Sequence, residues 1–433
     1  MADSQRSRIR WILIGWIFLL SAVGYLDRVN LSIAGGAIMR EFSLDKVQLG
    51  WIQSAFVLGY AFFQAPAGRL ADRIGPRKII SWGVIWWGVF TVLITVVPPA
   101  ASALWIVIGI RFGLGMGEAV VYPASNTIVA SWIPSTERGV ANGLIFMGVG
   151  FGAGVTSPLI NYIVTQHSWR AAFWTSAVIG LAAGGVWYWI SRDTPQKHPW
   201  VSESEVAYIE AGLPPIEPGS HGGKLGWSQI FGNKDILFVT FSYFTYGYAA
   251  YIFFSWFFIY LSDVRGLNLK QSALWTMLPF MAMAAGSLGG GWISDVITKK
   301  YGKRNGRCMV AVVGIGLAAI FIAIGTEVES VRTAVVVLAA GAGALYISQS
   351  SFWSVSADIG KKSAGSVSGV MNMGGQLGGA LTASLTPFIG KHLGWNTSFL
   401  VAAGLCACGA AAWFFVNPGY DSRRDKDERA IAA

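Results

Sequence analysis

Long apolar stretches recur from one end of the chain to the other, beginning at residues 11–39 and ending at 398–416. Each approaches the ~20 residues that carry a helix across roughly 30 Å of hydrocarbon, and about twelve follow one another. Lipid offers no partner for backbone N–H and C=O groups, and runs of this length exceed a barrel strand, so each stretch is expected to be helical. The sequence therefore predicts an all-α integral membrane protein with about twelve transmembrane helices. With 54% hydrophobic residues, 12% charged residues and a mean hydropathy of +0.51, the chain is too apolar for an ordinary soluble protein. Its 54 glycines suit helices that must pack closely in lipid, and residues 148–154 read as such a face.

Arg6, Arg8 and Arg10 precede the first apolar run in the manner of a secretory leader. The run, however, continues past Asp27 and Arg28 to Met39 without a small-x-small cleavage pattern, so it reads as the first span. Placing the N-terminus in the cytoplasm and alternating sides puts most Lys and Arg in cytoplasmic loops, and the C-terminus is then cytoplasmic too. The net charge of +10 is thereby explained by topology and anionic lipid, and no nucleic-acid partner is expected. Cys308, Cys406 and Cys408 form neither a disulfide framework nor a zinc spacing. His167, His198, His221 and His392 are scattered among loops, and no nucleophile elbow or phosphate loop is present. An enzyme, a metal and a cofactor are accordingly not expected.

The longest polar stretch is rich in turn residues: Thr194-Pro195, Pro199, Pro214-Pro215, Pro218 and His221-Gly222-Gly223. It divides the chain into an N-terminal six-helix bundle (1–191), a cytoplasmic central loop (192–235), a C-terminal six-helix bundle (236–416) and a cytoplasmic tail (417–433). The halves resemble one another. Gly139, Gly143, Met147, Gly148 and Gly152 of the fifth span recur as Gly365, Gly369, Met373, Gly374 and Gly378 of the eleventh, and Trp169 and Phe173 recur as Trp395 and Phe399. A duplicated bundle, giving two pseudo-symmetric halves, is the simplest cause.

Between the second and third spans lies Gly68-Arg69-Leu70-Ala71-Asp72-Arg73-Ile74-Gly75-Pro76-Arg77-Lys78, with a degenerate copy at Gly291-Trp292-Ile293-Ser294-Asp295 and Gly302-Lys303-Arg304. Gly68 permits close helix approach, Asp72 can accept hydrogen bonds from helix N-termini across the interface between halves, and the basic cluster with Arg73 and Arg77 anchors at headgroups. Breaking and remaking such contacts, with Asp295 as the second copy, would switch conformation. This pattern resembles the signature loop of the major facilitator superfamily, and the resemblance runs over nearly the whole chain. It implies the major facilitator fold, alternating access and a functional monomer.

Four charges stand inside apolar spans: Asp27 and Arg28 in the first, Arg111 and Glu118 in the fourth. At about 2.5 to 3.5 kcal/mol each, their insertion is costly enough to demand a reason. Arg111 and Glu118 are seven residues apart and share a helix face. One reason is a set of ion pairs that locks the two spans together; the other is coupling, in which protonating an acid frees an arginine for an anion. Further polar residues fall on common faces: Gln53, Tyr60 and Gln64; Tyr346, Ser350 and Trp353; Asn372 and Gln376. The seventh span is aromatic, with Tyr243, Phe244, Tyr246, Tyr248 and Tyr251.

The phrases Gly24-Tyr25-Leu26-Asp27-Arg28-Val29-Asn30-Leu31-Ser32 and Arg111-Phe112-Gly113-Leu114-Gly115-Met116-Gly117-Glu118-Ala119 resemble the anion:cation symporter branch of that superfamily, which includes galactonate, glucarate and phthalate permeases and, more distantly, sialin and vesicular glutamate transporters. The resemblance implies a proton-driven importer of a small organic anion, either a carboxylate, a sugar acid or a sulfonated carboxylate, in a bacterial inner membrane. It further implies Asp27 and Glu118 as proton carriers, Arg28 as the ligand of the acid group and Arg111 as mediator. Tyr25, Tyr60, Ser350, Trp353 and Asn372 would line the site. Tyr243 stands where the sugar-acid importers are expected to carry an amide, which points toward a less hydroxylated anion. Residues 148–158 also resemble the glycine-proline pattern of antiporters, which leaves an exchanger or exporter as the alternative.

Overall fold

In the computed structural model, residues 7–213 and 224–418 are described; Arg6, the turn residues Pro214, Pro215, Pro218 and His221-Gly222-Gly223, and all but the start of the C-terminal tail lie outside them. The chain is all α-helical. In the first half run α1 (Ile9–Phe42), α2 (Lys46–Ile74), α3 (Pro76–Leu93), α4 (Ala103–Glu118), α5 (Val121–Trp132), α6 (Arg138–Gln166) and α7 (Trp169–Ile190). Two short helices follow, α8 (Glu203–Gly212) and α9 (Trp227–Gly232). The second half comprises α10 (Lys234–Ser255), the single turn α11 (Phe257–Ile259), α12 (Leu269–Lys303), α13 (Val310–Glu327), α14 (Val331–Ile347), α15 (Gln349–Gly360), α16 (Ala364–Leu393) and α17 (Trp395–Ala412).

Among the described residues, eight helical segments are long and apolar enough to cross a membrane. Two of them, Leu274–Glu327 and Val331–Leu393, are 54 and 63 residues long and hold two crossings each, since ~20 residues suffice. The long helices α2 and α6 complete the set, in agreement with a twelve-span, two-bundle fold. Corresponding spans break at corresponding places: the fourth divides into α4 and α5 after Glu118, the tenth into α14 and α15 at Ser348. Trp87, Trp132, Trp187, Trp353 and Trp413 are fully buried, whereas Trp105 (67% exposed) and Phe388 (61%) belong to an apolar outer surface that only lipid would cover.

The polar stretch between the halves, expected as turns and linker, contains the two short helices α8 and α9. Ser202 caps α8 by accepting from Glu205 N–H (3.3 Å), and Glu203 and Glu205 place acid in the first turn, where the helix dipole favours it. Glu205 is also fully buried against the start of α1, accepting from Ile9 N–H (3.1 Å) and Arg10 Nη1 (2.9 Å). Further on, Leu225 touches both halves: its N–H donates to Ser363 Oγ (2.8 Å), and its carbonyl accepts from Arg69. The linker thus lies across one end of the molecule, called here the linker end.

At that end the two halves meet through glycine. Gly68 of α2 lies against the Gly365 carbonyl of α16, and Gly291 of α12 against the Gly139 carbonyl of α6, so that neither contact leaves room for a Cβ. Gly75 (φ 107°) and Gly302 (φ 83°), which end the two copies of the signature loop, adopt backbone angles that L side chains rarely tolerate. Gly68→Val is expected to wedge α2 from α16 and to abolish transport while helix content is retained. A cysteine placed at the buried seam residue Ser356 should resist alkylation in the parent and react in the Gly68→Val background; continued protection with unchanged transport would contradict this packing.

Candidate functional site

A cavity of about 380 Å³ lies between the halves. The first half contributes Tyr25, Arg28, Phe56, Tyr60 and Arg111 to its wall, and the second contributes Tyr243, Tyr251, Gln349, Asn372 and Gln376. Arg28 is the centre of the charged side. Its guanidinium carbon is 4.7 Å from the ring centre of Tyr60, 5.1 Å from Tyr25 and 5.3 Å from Phe56, within cation–π range of all three. Its Nε donates to Glu118 Oε2 at 3.2 Å. The side chain keeps 22% of its surface exposed while Glu118 keeps 3%, so the acid neutralises the arginine from behind and leaves its fork toward the cavity.

Arg111 also reaches the cavity, 4.7 Å from the Phe56 ring centre, but its residue is only 2% exposed and its Nε and Nη1 have no hydrogen-bond partner among the described residues. Asp27 and Glu118 are its acidic electrostatic neighbours. A desolvated arginine with unused donors is a binding group for an oxyanion, because each unmade hydrogen bond to a charged group is costly. Asp27 does not line the cavity. Successive residues of a helix point ~100° apart, and with Arg28 turned inward Asp27 faces α3, where Oδ1 accepts from Thr91 Oγ1 at 3.0 Å. It is 1% exposed. The structure therefore brings Arg28 and Arg111 to one wall and sets Glu118 and Asp27 behind them.

The opposite wall is neutral and largely paired with itself. Tyr243 Oη accepts from Gln349 Nε2 (3.0 Å) and from Trp353 Nε1 (3.2 Å). Tyr251 donates to Gln376 Oε1 (2.6 Å), and Asn372 Nδ2 donates across the seam to Gln64 Oε1 (2.8 Å). Of the residues expected at the site, Tyr25, Tyr60 and Asn372 line the cavity, whereas Ser350 and Trp353 stand behind its wall. Trp353 packs on Phe146 with ring centres 4.8 Å apart and fills the floor beneath the cavity. Among the described residues, no group of three His, Cys, Asp or Glu is placed to hold a metal.

The signature-loop acids lie far from this wall, at the linker end. Asp72 accepts from the N–H groups of Gly365 (2.9 Å) and Ser366 (2.7 Å), the Ser366 hydroxyl (2.5 Å) and the Thr127 hydroxyl (3.2 Å). Asp295 accepts from Gly139 N–H (2.8 Å) and Val140 N–H (2.6 Å) and pairs with Arg307 (2.7 Å). Each acid takes the free N–H groups at the start of a helix in the other half. Arg77 remains in its own half, donating to the Tyr188 carbonyl (2.9 Å) beneath the Tyr188 ring, and Arg73 is exposed.

A second set of seam charges escaped the sequence reading. Arg138 of α6 pairs with Asp358 of α15 at 2.6 Å, Lys303 joins the same carboxylate at 3.0 Å, and Arg307 donates to the Ser135 carbonyl at 2.7 Å. Asn126 and Asn142 add hydrogen bonds to Ser356 (2.9 Å) and Ser354 (3.3 Å). Arg138 and Asp358 sit at span ends, where a charge is ordinary, so nothing in their spacing marks them as a buried pair. These contacts close the linker end, while Gln53, which also lines the cavity, is exposed toward the far end.

Comparison with known proteins matches residues 17–383 to the Major Facilitator Superfamily. The chain is 32% identical to the probable sulfoacetate transporter SauU of Cupriavidus necator, over 96% of this chain and 95% of that one. It is 30% identical to the hexuronate transporter of Bacillus subtilis, over 93% and 94%. The proton:xylose symporter XylE shares the fold with a TM-score of 0.75 at 15% identity, covering 94% of this chain and 97% of XylE. With a family match over most of its length, two bundles of membrane-crossing helices and a cavity between them, this chain belongs to the major facilitator superfamily: it is a multi-pass secondary transporter, not an enzyme, and resembles the superfamily's sugar-acid and organic-anion permeases.

Proposed function

We propose that the protein imports a small organic anion together with protons, by alternating access of the central cavity to the two sides of a bacterial inner membrane. The observation that carries this reading is the Arg28–Glu118 pair at the cavity wall, with Arg111 beside it. A substrate carboxylate or sulfonate and the Glu118 carboxylate compete for one guanidinium. Protonation removes the charge of Glu118 and frees the Arg28 fork for the anion, so proton and anion bind cooperatively. A tenfold gain in affinity requires only about 1.4 kcal/mol, and leaving one member of a buried ion pair uncompensated costs about 3–5 kcal/mol. Asp27, behind the wall, acts on Arg111 as a second proton carrier. Tyr25, Tyr60 and Asn372 contact the anion, and Ser350 and Trp353 support the floor or join the site when the cavity reshapes.

Relatives named as a probable sulfoacetate transporter and a hexuronate transporter support an organic-anion substrate. In this reading the linker end, both termini, the central loop (192–235) and the tail (417–433) face the cytoplasm, and the bundles 1–191 and 236–416 rock as units in a functional monomer. Gly68, Asp72, Arg73, Arg77 and Asp295 form the conformational switch: Asp72 and Asp295 release their helix N-termini when the cytoplasmic side opens, while Arg73 and Arg77 hold the loop at the headgroups.

Proteoliposomes tested with an inward proton gradient should accumulate anion without internal counter-substrate; uptake only from preloaded vesicles would instead identify an exchanger. Glu118→Gln and Asp27→Asn are expected to lose gradient-driven accumulation yet retain counterflow, with Glu118→Gln counterflow independent of pH. Normal accumulation in both variants would remove the proton-carrier assignment. Arg28→Lys keeps the charge but loses the planar fork and its stacking against three rings, and is expected to weaken anion affinity by about tenfold or more. Unchanged affinity would exclude Arg28 from the anion site.

A further inference from the structure

The cavity's polar groups are unequally free to meet a ligand. On the charged wall, Arg111 presents two buried nitrogens without a partner among the described residues, and the Arg28 guanidinium bonds Glu118 through Nε while facing the cavity. On the neutral wall most of the hydrogen-bonding groups are already joined in pairs, Tyr243 with Gln349, Tyr251 with Gln376, and Asn372 with Gln64, while the buried Tyr246 hydroxyl has no hydrogen-bond partner among the described residues. Gln53, another amide of the lining, is exposed, where water satisfies it. A hydroxyl entering beside the neutral wall finds the Tyr246 hydroxyl and the spare sites of the paired amides, and must break a pair to gain more. Much of the remaining contact surface consists of tyrosine rings and of apolar side chains such as Phe254 and Phe280.

From this imbalance we infer that the cavity selects a compact anion with few or no hydroxyl groups, its acid group on Arg28 and Arg111 and its apolar body against the aromatic wall. The inference rests on the organic-anion reading and narrows it. A site built to hydrogen-bond hydroxyls loses strongly when they are absent; a site whose own groups are mostly paired gains less from them and must desolvate each one. Tyr243 is the specificity-determining residue, because its hydroxyl holds both Gln349 and Trp353 in place.

Cyclohexanecarboxylate and quinate test this directly, since they share a ring and a carboxylate and differ in hydroxyl groups, with cyclohexanemethanol as the uncharged control. Thermal stabilisation of the full-length purified protein should require at least about tenfold less cyclohexanecarboxylate than quinate, and cyclohexanemethanol should have no effect. Tyr243→Asn, which frees Gln349, should narrow that ratio by improving quinate. Equal or stronger stabilisation by quinate would overturn the selectivity and leave the anion reading standing, whereas equal stabilisation by the uncharged alcohol would overturn the anion reading itself. Absence of stabilisation by all three would overturn the inference, and an unchanged ratio in Tyr243→Asn would overturn the role of Tyr243.

Discussion

A charge buried in this protein is tolerable only while another group compensates it, and that constraint shapes both the cavity and the closed end. At ~2.5–3.5 kcal/mol per charged residue near mid-membrane, an uncompensated arginine is a large fraction of a protein's net stability of 5–15 kcal/mol. Arg28 has Glu118 (3.2 Å), Arg138 has Asp358 (2.6 Å) and Arg307 has Asp295 (2.7 Å). The first pair lies within one half, so it can persist while the halves move. The second and the helix-capping contacts of Asp295 cross the seam and must break for the linker end to open. In the proposed mechanism, location more than strength separates a site pair from a gate pair.

The seam contacts of Asp72 and Asp295 also show what the internal duplication accomplishes. Asp72 and Asp295 each hold the first N–H groups of a helix in the opposite half, and the glycines Gly365 and Gly139 at those helix starts let the acids approach. The copies are unequal. Asp295 is backed by Arg307, whereas Asp72 is backed by the Thr127 and Ser366 hydroxyls and has no ion pair among the described residues. Leu225 bridges Arg69 and Ser363 near the Asp72 contact, so the linker adds a covalently tethered strap on the side where the ion pair is missing.

Much of this was legible in the sequence, for identifiable reasons. Apolar run length reveals crossings because lipid enforces helix, and the glycine register of residues 139–152 and 365–378 reveals the duplication because backbone approach tolerates no substitute. Arg28 and Glu118 stand out because a charge in an apolar run is improbable. Asp27 stands out equally, yet its direction depends on the rotation of α1, which adjacency to Arg28 does not convey. Ser350 and Trp353 share a face with Tyr346 on an uninterrupted helix, but the break at Ser348 separates α14 from α15, and only Tyr346 lines the cavity. Helix α8 was hidden because its stability derives from burying Glu205 against Ser7, Ile9 and Arg10, nearly two hundred residues away in sequence.

The division of labour between the halves follows from these placements. The charged side chains that reach the cavity belong to the first half, and the second half offers tyrosines and amides bonded to one another. An anion would therefore dock first on a half that holds its charge firmly, and contact with the second half would add shape and dispersion with little new electrostatic cost. Dispersion falls steeply with distance, so such contacts reward only a closed cavity. A ligand held by charge on one side and by close packing on the other thus stabilises the closed cavity more than the open one, and a ligand can shift a conformational equilibrium only by that difference in affinity.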